Sequence, residues 1–201
     1  MYRPGHITGD SITGASNTND LLHTLVIICL RLGAAPLRDV EIDVSPVDYV
    51  AKALIELSFQ PKSVNRDFHL TNPIPMRTSA LNEWMQQSNL GLEMVSYDEW
   101  RDRLLKMGNE LGIGDIRMLT DVLGPRALGD DDSHAVHPRF DSQRAQEALL
   151  DSTVSCPLPD TRLFDAYLGF MRRMKLVASP DADAKLEAAT SLATSVAPAA
   201  P

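Results

Sequence analysis

A phenol serves as a proton donor at neutral pH when a lysine four residues along the same helix lowers its pKa. Four residues after Tyr2, Tyr49, Tyr97 and Tyr167 come His6, Ala53, Arg101 and Met171, so the sequence contains no such pair. The phosphates of a dinucleotide need a glycine-rich turn between a strand and a helix N-terminus. The eleven glycines form neither G-x-G-x-x-G nor G-x-x-G-x-x-G, and Gly112-Ile113-Gly114 lacks the third glycine and follows no strand-like run. His134-Ala135-Val136-His137, with Asp130 to Asp132 nearby, has the spacing of a metal clamp, but its loop-like composition reads as solvated polar residues and no metal site is expected. His23 lies in an apolar run and His69 in a strand-like one, which makes both core or interface histidines. Cys156 precedes Pro157 with no nearby basic group to lower its pKa, so a structural thiol is expected.

The elements that must position these residues belong to a globular chain of 201 residues, 44% apolar and 23% charged. Nineteen basic against twenty-seven acidic residues give a net charge of -8, which argues against a phosphate backbone or an anionic membrane as partner. Nucleic-acid and membrane binding are therefore not expected. Cys29 and Cys156 are far apart and form no C-x-x-C pair, so neither a disulfide framework nor a zinc site is indicated, and a reducing cytoplasm is the expected setting. No secretory signal is expected from the start Met1-Tyr2-Arg3-Pro4-Gly5.

The run Leu21 to Leu32 is too short to span a membrane and reads as a buried helix, started near Asp20 and stopped by Gly33 and Pro36. Asp39 to Val44 alternates with period two, as a half-buried strand does. Ser45-Pro46-Val47-Asp48 then reads as a cap hydroxyl, a proline at the first helical position and a first-turn carboxylate. The helix it opens is expected from Pro46 to about Ser58, burying Val47, Val50, Ala51, Leu54 and Ile55. Phe68 to Asn72 reads as a strand ended by Pro73 and Pro75. From Thr78 the pattern is helical, with Leu81, Trp84 and Met85 on one face. A second helix from Tyr97 to about Met107 carries Trp100, Leu104 and Met107, and Asp160 to Lys175 forms an amphipathic helix through Leu163, Phe164, Tyr167, Leu168 and Met171. Residues 124–138 read as an exposed loop, and the Ala-, Ser- and Pro-rich end as a frayed tail with at most a weak helix over 184–193.

Read together, Tyr2-Arg3-Pro4-Gly5-His6-Ile7-Thr8-Gly9-Asp10-Ser11-Ile12-Thr13-Gly14, Asn17-Thr18-Asn19-Asp20, Ser45-Pro46-Val47-Asp48-Tyr49-Val50-Ala51 and Phe68-His69-Leu70-Thr71-Asn72-Pro73 resemble the terminal thioester reductases. Phe140-Asp141 and Ser155-Cys156-Pro157 fit that family's later part. These are extended short-chain dehydrogenases/reductases found at the ends of nonribosomal peptide synthetases and polyketide synthases, in carboxylic acid reductases and in aminoadipate reductases. The resemblance runs from Tyr2 to about Val177 and implies an α/β fold, with a partial Rossmann-like unit over 1–77 and a mainly helical substrate-binding subdomain over 78–177; the composition beyond it makes 178–201 a disordered tail. It implies NADPH as cofactor, with Pro4, Gly5, His6 and Ile7 beside the nicotinamide. Asp10, Ser11, Thr13, Asn17, Asn19 and Asp20 are implied to line the acyl cleft. The implied partner is an acyl or peptidyl carrier protein, whose phosphopantetheine arm presents the thioester for reduction to an aldehyde or alcohol.

Against that pattern the glycine fingerprint and the Tyr-x-x-x-Lys pair are missing. The expectation is a C-terminal, substrate-binding part that is inactive alone and competent only with an N-terminal Rossmann half. The same absence leaves Leu21 to Leu32 and the Val47 to Ile55 face short of packing partners, so the chain alone is expected to be sticky or partly molten. Two other readings stand beside it: a non-catalytic carrier-protein docking module, and a fragment of a nucleotide-sugar epimerase or reductase.

Overall fold

A computed structural model describes residues 1–17, 20–111 and 140–177. It is an α/β structure whose strands are short: β1 (Tyr2–Pro4), β2 (Ile7–Thr8), β3 (Ala34–Pro36), β4 (Glu41–Ile42), β5 (Ser45–Pro46), β6 (Phe68–Leu70), β7 (Met76–Arg77) and β8 (Glu93–Val95). They pair two by two among the described residues. β1 with β6, β2 with β5 and β3 with β8 are parallel, and β4 with β7 is antiparallel. The helices are α1 (Leu21–Leu32), α2 (Val47–Ser58), α3 (Thr78–Gln87), α4 (Tyr97–Leu111), α5 (Gln143–Leu149) and α6 (Thr161–Arg173).

α1 spans the residues expected of it. The Asp20 carboxylate accepts from the His23 N–H, which satisfies one of the free donors of the first turn. Gly33 ends the helix at φ 62°, a left-handed cap at which glycine carries no Cβ penalty. The helix is not short of partners, which corrects the expectation for this segment. Leu22, Leu25, Val26 and Cys29 form an i, i+3, i+4, i+7 stripe packed with Trp84 and Met85 of α3, Trp100 and Leu104 of α4, and Leu163, Phe164, Leu168 and Met171 of α6. α6 is capped by the Asp160 carboxylate and buries the five residues expected, and the Trp84 Nε1–H donates to Asp165 Oδ1 at 2.9 Å to fix α3 against it.

The segment before α2 departs from its sequence reading. The strand expected over Asp39–Val44 is confined to β4, because Thr78 Oγ1 takes the Val40 N–H and the Asp43 carboxylate turns to other donors. Pro46 stays extended (φ -58°, ψ 138°) in register with Thr8 of β2, so the helix starts at Val47. The Ser45 hydroxyl donates to Asp43 Oδ1 and caps nothing. The buried face of α2 is Tyr49, Val50, Ala53 and Leu57, packed on Phe68 and Leu70 of β6 and on Ala145 and Leu149 of α5. Of the residues expected inside, Val47, Ala51, Leu54 and Ile55 are exposed. β6 ends at Leu70 because Asn72 turns inward, its side-chain N–H groups donating to the Val44 and Pro157 carbonyls. Both buried clusters draw on residues from either side of residue 77. The expected loop over 124–138, the tail and the His134/His137 pair lie outside the described residues.

Candidate functional site

The β2–β5 pairing sets Ile7 opposite Ser45 and thereby brings His6 against Asp43. The His6 N–H donates to Asp43 Oδ2 at 2.9 Å, and the same carboxylate accepts from the Asn72 N–H and the Ser45 hydroxyl at Oδ1, each at 2.9 Å. A Cβ on Gly5 would lie 1.8 Å from Asp43 Oδ2, so glycine is what allows this close approach. His6 Nδ1 is 3.1 Å from the Asp43 carbonyl oxygen and Nε2 is 2.9 Å from Asp20 Oδ1. Both partners are acceptors, so only the imidazolium can donate to both. Burial works against that charge, but the hydrogen bond and charge of Asp20, with Asp43 behind them, outweigh it and raise the His6 pKa above 6.5.

Asp20 is itself a bridge. Its Oδ2 lies 3.0 Å from Nδ1 of His23, a fully buried side chain whose Nε2 has no partner among the described residues. Burial of Asp20 favours its neutral form, but the hydrogen bonds from His23 and His6 win and hold the carboxyl far below the usual carboxylate range. A carboxylate so acidic, shared by two imidazoles, is poorly matched to general acid–base work near neutral pH. The constellation fixes the entry of α1 against β2.

The loop between β2 and α1 is held as firmly. Asp10 Oδ1 accepts from the Ile12 and Thr13 N–H groups at 3.1 and 2.7 Å and from the Thr13 hydroxyl at 2.8 Å. The Ser11 N–H and hydroxyl donate to the two oxygens of Asp48 at 2.9 and 3.0 Å, with Lys52 on the far side. Gly14, at φ +71°, sits so close to α6 that a Cβ would meet the Ala166 carbonyl oxygen at 2.0 Å. Tyr167 of α6 donates to the Gly9 carbonyl at 3.1 Å and shares a 2.7 Å hydrogen bond with Thr8 Oγ1. Burial raises the phenol pKa.

Of the residues named from the sequence, the structure joins His6 to Asp20, Asp10 to Thr13 and Ser11 to Asp48. Pro4 ends β1 with its ring exposed, Ile7 is exposed on β2, the Asn17 carbonyl receives the Asp20 N–H, and Asn19 lies outside the described residues. Asp43, Asp48, Thr8 and Tyr167 were not picked out as site residues from the sequence, where Asp48 reads only as a helix-start carboxylate and Tyr167 only as a core residue. His23 is the core residue expected, and His69 places Nδ1 3.2 Å from the Asp141 carbonyl oxygen. Burial and the Asp43 and Asp48 charges push the Cys156 thiol up to about 12, as befits an unreactive thiol.

Asp43, Thr71 and Asn72 also wall a cleft of about 340 Å³, completed by Phe140, Asp141 and Gln146. Its ionisable walls, Glu41 included, are carboxylates, which oppose a diphosphate. The Gly5 N–H donates to the Leu70 carbonyl and the His6 N–H to Asp43, so neither can cradle phosphate oxygens. A whole dinucleotide does not fit these residues; the exposed Pro4 and Ile7 offer only a flank for a flat ring. Among the described residues no group of three or more metal-ligating side chains occurs, and no helix is long and apolar enough to cross a membrane.

Residues 1–54 match an NAD-binding family described as male sterility protein. The chain is 29% identical over 177 residues to a linear gramicidin synthase polypeptide of Brevibacillus parabrevis, an alignment that covers 86% of this chain and 3% of that one. It is 35% identical over 103 residues to glycine betaine reductase of Emericella nidulans, covering 50% of this chain and 8% of that one. The solved terminal R domain of the myxalamid PKS-NRPS pathway superposes with a TM-score of 0.76 at 33% identity over 89% of this chain. This chain spans 44% of that domain and a smaller fraction still of the curated relatives it matches. The resemblance to reductase domains read from the sequence is thus supported over most of the chain, as is the extended short-chain reductase fold.

Proposed function

We propose that this chain supplies the substrate side of an NADPH-dependent thioester reductase and is inactive until joined to the part that grips the dinucleotide. Its substrate is an acyl or peptidyl thioester on the phosphopantetheine arm of a carrier protein, released as an aldehyde or alcohol, with residues 78–177 receiving the arm. The observation that carries this reading is the superposition on a solved terminal reductase domain, at 33% identity over 89% of the chain, by a sequence with no glycine fingerprint and no Tyr-x-x-x-Lys. The work of these residues is orientation. His6 and Asp43 fix the turn that presents Pro4 and Ile7, while Asp10, Asp48 and Tyr167 hold the loop from Gly9 to Asn17 as one wall of the acyl cleft. Phosphate binding and proton donation come from elsewhere.

The purified chain is mixed with NADPH and an acyl-loaded carrier protein, and NADPH oxidation is followed. No turnover is expected. Steady oxidation by this polypeptide without any partner would refute the proposal.

A further inference from the structure

α6 ends in a cluster of positive charge. Arg172, Arg173 and Lys175 stand together, and from Ala166 to Pro180 the sequence contains no acidic residue. Among the described residues none of the three has a carboxylate within ion-pair distance, in a chain whose net charge is -8. Cations at a helix C-terminus commonly serve its free carbonyls. Here those carbonyls have backbone partners: the Lys175 N–H donates to the Arg172 carbonyl at 3.0 Å and the Leu176 N–H to the Met171 carbonyl at 2.9 Å, the Schellman pattern. None of the side chains is needed as a cap. Lys175 takes the left-handed position of that motif, at φ 57°, which Gly33 takes after α1. Glycine carries no Cβ penalty there and lysine does, so the charge is retained against a conformational preference.

The cluster adjoins the loop between β2 and α1. Arg173 donates to the Thr13 carbonyl, and Gly14 packs against Ala166 and Phe170. One turn before Arg173, Phe170 meets His23 edge-on at 6.3 Å between ring centroids, and His23 holds Asp20, the partner of His6. The cations therefore stand behind the same wall as the residues assigned to the acyl chain. Met174, 53% exposed, lies among them, and Ile12, 79% exposed, is next to Thr13 in the adjoining loop. Arginine and methionine beside exposed apolar groups have the composition of a contact surface. Arg172 Nε is shielded from solvent and donates to nothing among the described residues. Buried donors are normally satisfied, and a charged one left over is relieved by an anion.

Resting on the function proposed above, we infer that Arg172, Arg173 and Lys175 form the seat of the phosphate at the root of the carrier protein's arm. Two guanidinium forks and an ammonium offer more donors than one carboxylate can use and suit the oxygens of a phosphate. A chain at -8 repels anions as a whole, so a phosphate-bearing arm needs a local site of this sign beside the cleft it enters. The Schellman turn holds the cations in place before the arm arrives, and Met174 and Ile12 offer apolar contact to the arm's carbon chain.

Phosphopantetheine and its dephosphorylated form, pantetheine, are titrated into the full chain, and binding is followed by NMR at low salt. Phosphopantetheine should bind about tenfold more tightly than pantetheine, and 0.5 M salt should remove most of the difference (roughly a threefold fall in screening length). Arg172→Gln combined with Lys175→Gly should weaken phosphopantetheine by about tenfold and leave pantetheine unchanged. Lys175→Gly alone should weaken it by about threefold while raising the urea midpoint, because glycine accepts φ 57° without strain. A side chain with a merely structural role would lose stability and leave binding alone. Circular dichroism verifies that both variants fold. Equal affinity for the two ligands, inorganic phosphate bound as tightly as phosphopantetheine, or binding indifferent to both variants overturns the inference. Steady NADPH oxidation by the unpartnered chain sinks the function proposed above, and a phosphate preference that the variants abolish still carries this inference. Turnover only with an N-terminal part, by a chain without that preference, does the reverse.

Discussion

Replacing Gly5 by alanine puts a methyl group where Asp43 Oδ2 now lies, 1.8 Å from the ideal Cβ, with Thr71 Cγ2 at 2.8 Å and Asp43 Cγ at 2.9 Å. Neither backbone nor carboxylate can absorb that overlap by a few tenths of an ångström. Asp43 has to rotate away, and the His6 N–H at 2.9 Å is the first bond to go. Hydrogen bonds to a charged acceptor contribute about 1.5–3 kcal/mol each, so loss of this one sets the lower bound. If the rotation also frees the Asn72 N–H and Ser45 hydroxyl from Oδ1, with partial replacement by water, Gly5→Ala should cost about 3–5 kcal/mol. Gly169→Ala is the control, because that glycine lies inside α6 with its nearest contact a flexible Arg173 atom at 3.4 Å. It should be neutral or stabilising by up to about 1 kcal/mol from helix propensity. Urea unfolding followed by circular dichroism measures both. Gly5→Ala combined with Asp43→Ala should destabilise less than the sum of the single changes, since the overlap disappears with the carboxylate. A Gly5→Ala midpoint indistinguishable from wild type, or strict additivity of the pair, would show that Asp43 does not occupy the space glycine leaves.

Two further outcomes follow from the same region. His6 has a raised folded-state pKa, so its contribution to stability is complete below 6.5 and lost as pH climbs through the raised value, whereas the depressed Asp20 contributes above the ordinary carboxylate range and loses that on acidification. Urea midpoints of the wild type should therefore decline from pH 6.5 upward, with a shallower decline in His6→Gln; parallel pH profiles for the two would exclude the imidazolium bridge. Tyr167→Phe leaves the buried Thr8 hydroxyl and the Gly9 carbonyl without their partner and should cost about 1–3 kcal/mol, read from the same melts, and an unchanged midpoint would mean that water replaces the phenol.

α1 and α6 were legible because each carries both a boundary signal and a periodic face: Asp20 and Gly33 frame the first, and Asp160 caps the second. α2 misled for a specific reason. Eight of its twelve residues are apolar and they lie on two sides, so periodicity could not say which side meets the core, and Ser45-Pro46 mimics a helix start while serving as a strand partner of β2. His6 and Asp43 stand 37 residues apart and His6 and Asp20 14 apart, and no local spacing links them. The parallel pairing of β2 with β5 links the first of these pairs, and two-residue strands leave too faint a pattern to reveal their register. Of the loop residues picked out by resemblance, Asp10 holds Thr13, Asp20 holds His6 and Ser11 is held by Asp48. Their anchors, Asp48 and Tyr167, come from helices far along the chain.

The long reach of these anchors also bears on how the molecule is made. Tyr2 pairs with Phe68, and the Thr8–Tyr167 hydrogen bond spans 159 residues. On the ribosome the first strand must wait for β6 to emerge, and the β2–α1 loop cannot take its final seat until α6 has been synthesised. Closing such distant contacts is entropically slow, and during that interval the β1–β2 segment is open to mispairing or to capture by chaperones.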